Sequence, residues 1–297
     1  MKLKDVDPSS IDSPITPLLR ELLKAPGIIS PKRAKEISEL VAKLKIRLEL
    51  SDKPVSTDFG VGKDRRIRTS LRGLEHLWGS LHAYLLLMDI TKAHPGQLVD
   101  LLASKEGQAA RELLAWAFGN PKAPWPAGAP KPTDTILRLV VGTNNLFLLC
   151  GGFIFLHEVA HVVLGHTKQS ASNPATMIRR EYQADDWAVK FVLEGTDPAD
   201  LKPRLIAIAA TLGMIGGLEL YGAEGDVRDH PFPTDRILHF LEKHVAAATD
   251  DPSTIAGCLM AAGIPIQAHL LKKGVGTMKP YQNFKEFFAA SKLLYPS

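Results

Sequence analysis

Two histidines and a glutamate within a strongly apolar stretch are the first candidates for chemistry. His157, Glu158 and His161 lie inside residues 146–165, which are apolar almost throughout. On a helix the two histidines stand one turn apart and about 40° apart around the axis, so both imidazoles face the same way. Such a pair can bind one Zn²⁺ while the glutamate addresses a water molecule on that metal. An accidental H-E-x-x-H is expected in on the order of one such chain in fifty, so the spacing predicts a metal site.

A carboxylate on the next predicted helix supplies a third ligand. The helical pattern over residues 180–193 places Glu181 and Asp185 on the inward face, whereas Asp186 and Lys190 point outward and can pair with each other. Buried carboxylates are disfavoured by several kcal/mol unless a positive group meets them. We therefore expect Glu181 to complete a His₂Glu set that leaves the fourth position to water. Asp185, one turn further, is suited to accept the outer ring N–H of a ligating histidine.

Two alternatives accompany this ligand set. The first is that Glu181 and Asp185 merely pair with Arg179 or Arg204. The second concerns His166, five residues beyond His161. A continued helix would turn it about 140° away from the metal. We expect His166 to be a helix-end residue near the negative dipole pole rather than a ligand.

A third group of residues could act on the substrate. Pro233 can begin a helix whose first turn contains Arg236, where an arginine opposes the helix dipole and is therefore placed for another purpose. His230 before the helix and Arg236 within it could donate hydrogen bonds to an oxyanion that develops over the zinc. The alternative is an ordinary surface loop. His239 and His244 follow the pattern of helical exposure, and we assign them no role.

Composition and charge indicate a water-soluble protein of the cytoplasm. The net charge of +4 is mild and scattered, and the densest basic cluster, residues 63–68, is typical of a solvated hairpin face. A polyanionic partner is the alternative for that cluster, but we predict neither a nucleic acid nor a membrane partner. The two cysteines form no disulfide or ligand pattern, and the N-terminus lacks the apolar run of a signal peptide. The apolar stretches 146–156 and 205–218 fall short of the ~20 residues that span a bilayer, which predicts core helices.

The remaining pattern predicts a mainly α fold of the α+β class, a zincin-like helical metallopeptidase core with a small β-sheet or hairpin in the N-terminal half. Residues 1–120 form an N-terminal region with the hairpin and two helices, residues 121–132 a Pro/Gly-rich linker, and residues 133–297 the helical zinc-peptidase domain. Gly151 and Gly152 are expected to allow close approach of another element. The predicted elements are a helix over 31–42, strands over 44–50 and 62–69, and helices over 71–91 and 95–118. A further helical segment, capped by Thr133 or Asp134, continues into the helix that carries His157 and His161.

The site motifs resemble those of known zinc peptidases. HEVAHVVLGH, EYQADDWAVKFVL and HPFPTDRI are similar, in order and spacing, to the H-E-x-x-H, E-x-x-A-D and H-P-x-x-x-x-R-I set of the HtpX and CAAX-type zinc endopeptidases. Those enzymes are membrane proteins, and this chain lacks their spanning helices. Over residues 35–245 the chain is more similar to the soluble Lit phage-exclusion peptidases. The shared features include a strand-rich opening, the LEHLW helix and the Trp-Ala and Trp-Pro segment.

The resemblance implies a role for each matching residue. His157, His161 and Glu181 would bind Zn²⁺, Glu158 would be the general base, and His230 and Arg236 would contact the transition state. It also implies a protein substrate, elongation factor Tu, which is cut when a phage-derived activating peptide is present. The alternatives are a non-catalytic metal-fold sensor or regulator, and a zinc peptidase with another cytosolic target such as a repressor. Latency is plausible, and the first thirty residues are the segment to test for it by truncation.

Overall fold

The computed structural model describes residues 12–51, 59–93, 104–105, 107–119, 123–168, 173–222, 231 and 233–272. Within these residues the fold is mainly helical with one small sheet, so the predicted mainly α class of α+β composition is confirmed. The helices are α1 (Thr16–Leu22), α2 (Ala25–Ile29), α3 (Ala34–Leu44), α4 (Leu71–Ala93), α5 (Gln108–Gly119), α6 (Arg138–Val163), α7 (Pro174–Leu193), α8 (Pro198–Gly222), α9 (Pro233–Phe240), α10 (Ala246–Ala248) and α11 (Pro252–Lys272). The strands are β1 (Arg47–Ser51), β2 (Gly60–Val61) and β3 (Arg66–Ser70).

The sheet combines one parallel and one antiparallel pair. Its strand order is β1-β3-β2, with β1 parallel and β2 antiparallel to the central β3. Leu48 of β1 pairs with Ile67 of β3, and both side chains are buried. The first strand begins later than predicted because α3 extends to Leu44 and ends in a left-handed residue, Lys45, with φ of 55°.

The basic cluster over residues 63–68 lies on the hairpin formed by β2 and β3, as predicted. Arg66 and Arg68 contact the carboxylates of Asp64 and Glu49. The arginine charges are therefore compensated within the sheet, which favours the solvated-face interpretation over a polyanionic partner.

Helix α6 is the element around which the other helices pack. It contacts α1, α2, α4, α7 and α8 and also strand β2. Its 26 residues make it long and apolar enough to cross a membrane, so the prediction that this stretch is too short was wrong. However, 78% of its most apolar window is buried within the fold. The burial identifies α6 as a core helix, in agreement with the other part of that prediction.

The close approach predicted at Gly151 and Gly152 occurs, and the approaching element is the α1–α2 pair. A Cβ atom on Gly152 would lie 2.5 Å from the carbonyl oxygen of Ala25, and one on Gly151 would collide with Leu22. The two glycines therefore let α1 and α2 lie directly against the backbone of α6, one to two turns before His157.

Helix α7 begins earlier than predicted and presents the expected face to the core. The Asn173 side chain caps it by accepting a hydrogen bond of 2.9 Å from the backbone N–H of Thr176, and Pro174 occupies the first turn. Glu181 and Asp185 are both buried on its inner side.

The other helix starts give one correction and one confirmation. Helix α6 starts at Arg138, not at Thr133 or Asp134, because the Asp134 carboxylate accepts a hydrogen bond from the backbone N–H of Lys131 in a preceding turn. Helix α9 starts at Pro233 as predicted.

The hydrophobic core is continuous along the described chain. Buried apolar side chains from Ile15 to Ala262 form one cluster with members on both sides of the predicted linker 121–132. The division into two domains at that segment stays a prediction.

Candidate metal centre

Three ligand-type side chains from α6 and α7 converge on one point. The Nε2 atoms of His157 and His161 are 3.1 Å apart, and the Glu181 carboxylate lies 3.3 Å from each of them. Donor atoms that bind Zn²⁺ tetrahedrally at ordinary lengths are separated by about 3.3 Å. Each histidine nitrogen faces a different oxygen of the Glu181 carboxylate, and one donor atom from each of the three residues lies within 4.8 Å of the others, close enough for a single zinc ion to bridge them.

The helices fix these side chains because the site lies in their packed interface. His157 and Glu181 are 7% and 9% exposed, in the contact between α6 and α7. Burial lowers the pKa of His161 to about 3, helped by the neighbouring His157, so its imidazole is neutral and has a lone pair to donate. Burial also opposes charge on His157, but the carboxylates of Asp185 and Glu181 outweigh it and raise the pKa of His157 to about 10. The centre thus attracts positive charge strongly.

Glu158 lies beside the ligands and is itself buried, with 5% of its surface exposed. Burial raises its pKa to about 7, against the lowering effect of His157, and Glu181 raises it further. The backbone N–H of Val61 in β2 faces the carboxylate and lowers the pKa in part. A carboxylate that titrates near neutral pH can both take up and release a proton under physiological conditions.

Asp185 links His157, a candidate metal ligand, to Arg236 of α9. Its Oδ1 lies 2.8 Å from Nδ1 of His157, a short ion-pair contact that is poorly aligned for a hydrogen bond. Nε and one terminal nitrogen of Arg236 donate hydrogen bonds of 2.9 and 2.8 Å to the two carboxylate oxygens of Asp185. Burial alone would raise the pKa of Asp185, but Arg236 and His157 lower it to about 2. Asp185 is therefore ionised and holds the ring of His157 from behind.

His166 contacts the outer nitrogen of His161, the second candidate ligand, as Asp185 contacts that of His157. Its Nδ1 lies 3.1 Å from Nδ1 of His161, and its Nε2 lies 3.2 Å from Oε1 of Gln183. A consistent arrangement has His161 donating its Nδ1–H to His166, which in turn donates its Nε2–H to Gln183. That arrangement leaves Nε2 of His161 free to bind a metal. As predicted, His166 is not part of the ligand group, but its contact with His161 was not foreseen.

The contact of His166 follows from the way α6 ends. Gly165 adopts a left-handed conformation with φ of 75°, and a short 3₁₀ turn over His166–Lys168 follows. The chain therefore folds back over the last turn of the helix instead of continuing its phase.

The structure brings together six of the seven predicted site residues, and their chemical roles stay predictions. The six are His157, Glu158, His161, Glu181, Asp185 and Arg236. The seventh, His230, lies outside the described residues.

The alternative that Glu181 and Asp185 pair with Arg179 or Arg204 does not match the observed ion pairs. Asp185 pairs with Arg236, while Arg204 pairs with Asp200 at 3.1 Å. Arg236 also lies 4.0 Å from Glu181, so its guanidinium faces both carboxylates of α7.

A second ligand-type group was missed in the sequence. Asp186 of α7, His239 of α9 and His244 of the segment that follows α9 come together. Asp186 was expected to pair with Lys190, but its carboxylate instead contacts both histidines and Lys243. The three partners are distant in sequence from Asp186, so no helical spacing could have indicated them.

Comparisons with known proteins find similarity to peptidases. A family model described as Peptidase U49 matches residues 67–258, which include all the described site residues. The chain is also 25% identical over 241 residues to the "Cell death peptidase" of Escherichia coli (strain K12), covering 76% of this chain and 80% of that protein. No solved structure matches the chain.

Proposed function

The chain belongs to the peptidase U49 family, and we propose that it is a zinc-dependent endopeptidase with His157, His161 and Glu181 as its ligands. Family membership makes the chain a peptidase; the zinc and the cleavage within a protein substrate are our proposal. The observation that carries it is the convergence of two imidazole nitrogens, 3.1 Å apart, and the Glu181 carboxylate, whose two oxygens each lie 3.3 Å from one of them, next to a buried glutamate. One donor atom from each residue can then bind the same tetrahedral zinc ion.

Bound zinc and Glu158 would each contribute a different part of peptide hydrolysis. Bound zinc would supply a Lewis acid that polarises the scissile carbonyl group and makes water more acidic. Glu158 would accept a proton from the attacking water and deliver it to the leaving amine, for which a pKa of about 7 is well matched.

Asp185 would orient His157, and Arg236 would keep Asp185 ionised and in place. We therefore propose Arg236 as a positioning residue.

Strand β2 is the best candidate for the segment that aligns the substrate. It is an edge strand among the described residues, and it contacts α6. Gly62 donates its backbone N–H to Arg66 in β3, so the polar backbone groups of the adjacent Val61 point to the opposite side, towards Glu158. An extended substrate that paired with β2 would place a peptide bond beside the general base.

The proposed target is elongation factor Tu, cut when a phage-derived peptide is present. Two observations support a role in cell death after infection: the resemblance of the site motifs to the Lit phage-exclusion peptidases, and the similarity to a protein named cell death peptidase. We place the enzyme in the cytoplasm, where elongation factor Tu is found, and we expect neither nucleic acid nor membrane as a partner.

The variant Glu158→Gln tests the proposal. It keeps the three ligands and the side-chain volume but removes the base, so it should bind one zinc ion at the ligand set and cut no substrate. The assay is incubation of the purified chain with host lysate, with and without phage extract, followed by identification of new protein N-termini. Glu112→Gln, an exposed change on α5, is the matched control and should cut as the wild type does.

Three results would separate the alternatives. Cleavage by wild type of a protein other than elongation factor Tu would keep the peptidase and replace the target. Zinc binding with no cleavage in any extract would favour the sensor or regulator. Cleavage by Glu158→Gln at the wild-type rate would refute the mechanism.

A further inference from the structure

A second group of ligand-type side chains lies away from the candidate metal centre. The Oδ1 atom of Asp186 is 2.8 Å from Nε2 of His239 and 2.7 Å from Nε2 of His244. The donor atoms of the three residues all lie within 4.8 Å of one another. The side chains are between 15% and 31% exposed, so a small ion can reach them from solvent.

The backbone is distorted in a way that brings the two histidines together. Residues five apart in an α-helix point about 140° away from each other. Here the segment Leu241–Val245 forms a π-helical turn, in which residue i bonds to residue i+5. The rings of His239 and His244 therefore lie on one side, with centroids 6.1 Å apart. Such turns are rare and occur frequently at functional sites.

We propose that Asp186, His239 and His244 form a second binding site for a divalent transition-metal ion of the zinc class. Two imidazoles and one carboxylate suit zinc, copper or nickel, whereas magnesium and calcium prefer all-oxygen surroundings. Three protein ligands leave at least one position to water. None of these residues belongs to the ligand set of α6 and α7, so the proposal does not depend on the proposed function.

The charges at this site favour a cation. Burial lowers the pKa of His244 below its usual value, although Asp186 opposes this effect, so the imidazole is neutral at pH 7. Burial would raise the pKa of Asp186, but hydrogen bonds from Lys243, His244 and His239 lower it, and the carboxylate is ionised. The Lys243 ammonium, 2.6 Å from Oδ2 of Asp186, is the group with which an ion must compete. Because 51% of the Lys243 side chain is exposed, the ammonium can move into water.

The position of the site gives the ion a structural consequence. Asp186 follows Asp185 directly on α7, and His239 lies one turn after Arg236 on α9. An ion bound here would connect the same two helices that the buried Asp185–Arg236 pair connects. We therefore expect metal binding at this site to raise the melting temperature of the chain.

The number of zinc ions per chain, compared between wild type and ligand variants, tests the two sites separately. The purified full chain is freed of metal with a chelator, dialysed against Zn²⁺, and its zinc is quantified by mass spectrometry. Wild type should hold two ions per chain, His244→Ala one, and His157→Ala with His161→Ala also one. If the double histidine variant fails to fold, Glu181→Gln serves in its place, with Co²⁺ absorption reporting which site is filled.

Two lysine variants distinguish a metal site from a set of ion pairs. Lys243→Met removes the competing ammonium and should tighten Zn²⁺ binding to the second site by about two- to fivefold. Lys190→Met makes the same charge change one turn after Asp186, where the described residues show no ion pair with it, and it should change the affinity much less. If the three side chains form only ion pairs, neither lysine variant should bind Zn²⁺ at the second site.

The outcomes for this site and for the proposed function can be told apart. One zinc per chain that is lost in the His157 and His161 variant, and kept in His244→Ala, overturns the second site and leaves the peptidase proposal intact. One zinc that is lost only in His244→Ala supports the second site and refutes the ligand set of the first. An unchanged melting temperature on saturation of the second site would overturn the structural consequence.

Discussion

Asp185 and Arg236 form a buried pair, and replacing it in two ways should separate folding stability from metal affinity. The single variants Asp185→Asn and Arg236→Met each remove one side of the bidentate ion pair and leave the other side in place. The double variant Asp185→Leu with Arg236→Met removes both charges and fills the space with apolar atoms. Both residues are 4% exposed, so solvent cannot compensate for a lost partner.

The magnitudes follow from burial and from the contact with His157. Each single variant should lower the free energy of unfolding by about 3–5 kcal/mol, because it breaks a buried ion pair and leaves one of its two charges in place. The double variant should recover most of that loss, since apolar replacements of a buried pair are often neutral. Zinc affinity should behave differently. His157 loses the carboxylate that lies 2.8 Å behind it, so the double variant should bind zinc about 10–100-fold more weakly than wild type.

The assay has two independent readouts. Urea unfolding in the presence of a chelator gives the stability, and competition with a chromophoric chelator gives the zinc affinity. Asp197→Asn is the control, because in its 2.6 Å pair with Lys32 both side chains are more than half exposed, and its cost should stay below about 1 kcal/mol. Wild-type zinc affinity in the double variant would show that Asp185 does not hold His157 and would refute this account.

Three further predictions use other parts of the fold. Among the residues that the structure describes, neither nitrogen of the buried His76 has a hydrogen-bond partner, and burial lowers the pKa of His76 to about 4. The destabilisation that comes from protonating His76 in the unfolded chain is therefore absent above pH 6.5 and grows as the pH falls from 6.5 to 4. His76→Phe should therefore remove up to about 3 kcal/mol of acid destabilisation, measured by thermal unfolding at pH 7 and pH 4, and equal pH slopes for variant and wild type would contradict this. Gly152→Ala should lower the free energy of unfolding by about 2–4 kcal/mol because its methyl group meets the carbonyl of Ala25, and a melting temperature equal to wild type would disprove the close contact. His166→Ala should weaken zinc binding by about tenfold with little change in stability, since the outer nitrogen of His161 loses its acceptor; an unaltered dissociation constant would argue against that role.

The parts of the site that lie inside helices could be predicted from sequence because helical periodicity fixes their directions. His157 and His161 share a face at a spacing of four, and so do Glu181 and Asp185. The packing of two helices with those faces turned inward was then enough to bring the donor atoms together.

The parts that depend on helix ends and distant pairing could not be predicted in this way. Extrapolating the helix past Gly165 turned His166 away from His161, whereas the left-handed glycine reverses the chain and brings the two rings together. His239 and His244 received no role from their pattern of helical exposure; a continued α-helix would point them about 140° apart, whereas the π-helical turn brings their rings together. Local pattern also does not encode which strands pair, and so the parallel pairing of β1 with β3, with β2 between them in the chain, was not anticipated.

The packing of α1 and α2 against Gly151 and Gly152 of α6 limits where the N-terminus can be truncated. Residues 15–29 contribute Ile15, Leu19, Leu22, Ala25 and Ile29 to the core, yet the family match starts only at residue 67. A shortened protein designed on the matched boundaries would lack the helices that pack against Gly151 and Gly152 and would expose the apolar side of the histidine-bearing helix to water. Removing the first thirty residues to test for autoinhibition would delete the same two helices. Loss of activity in either shortened form would report a broken scaffold, so a search for autoinhibition should use point changes ahead of Ile15.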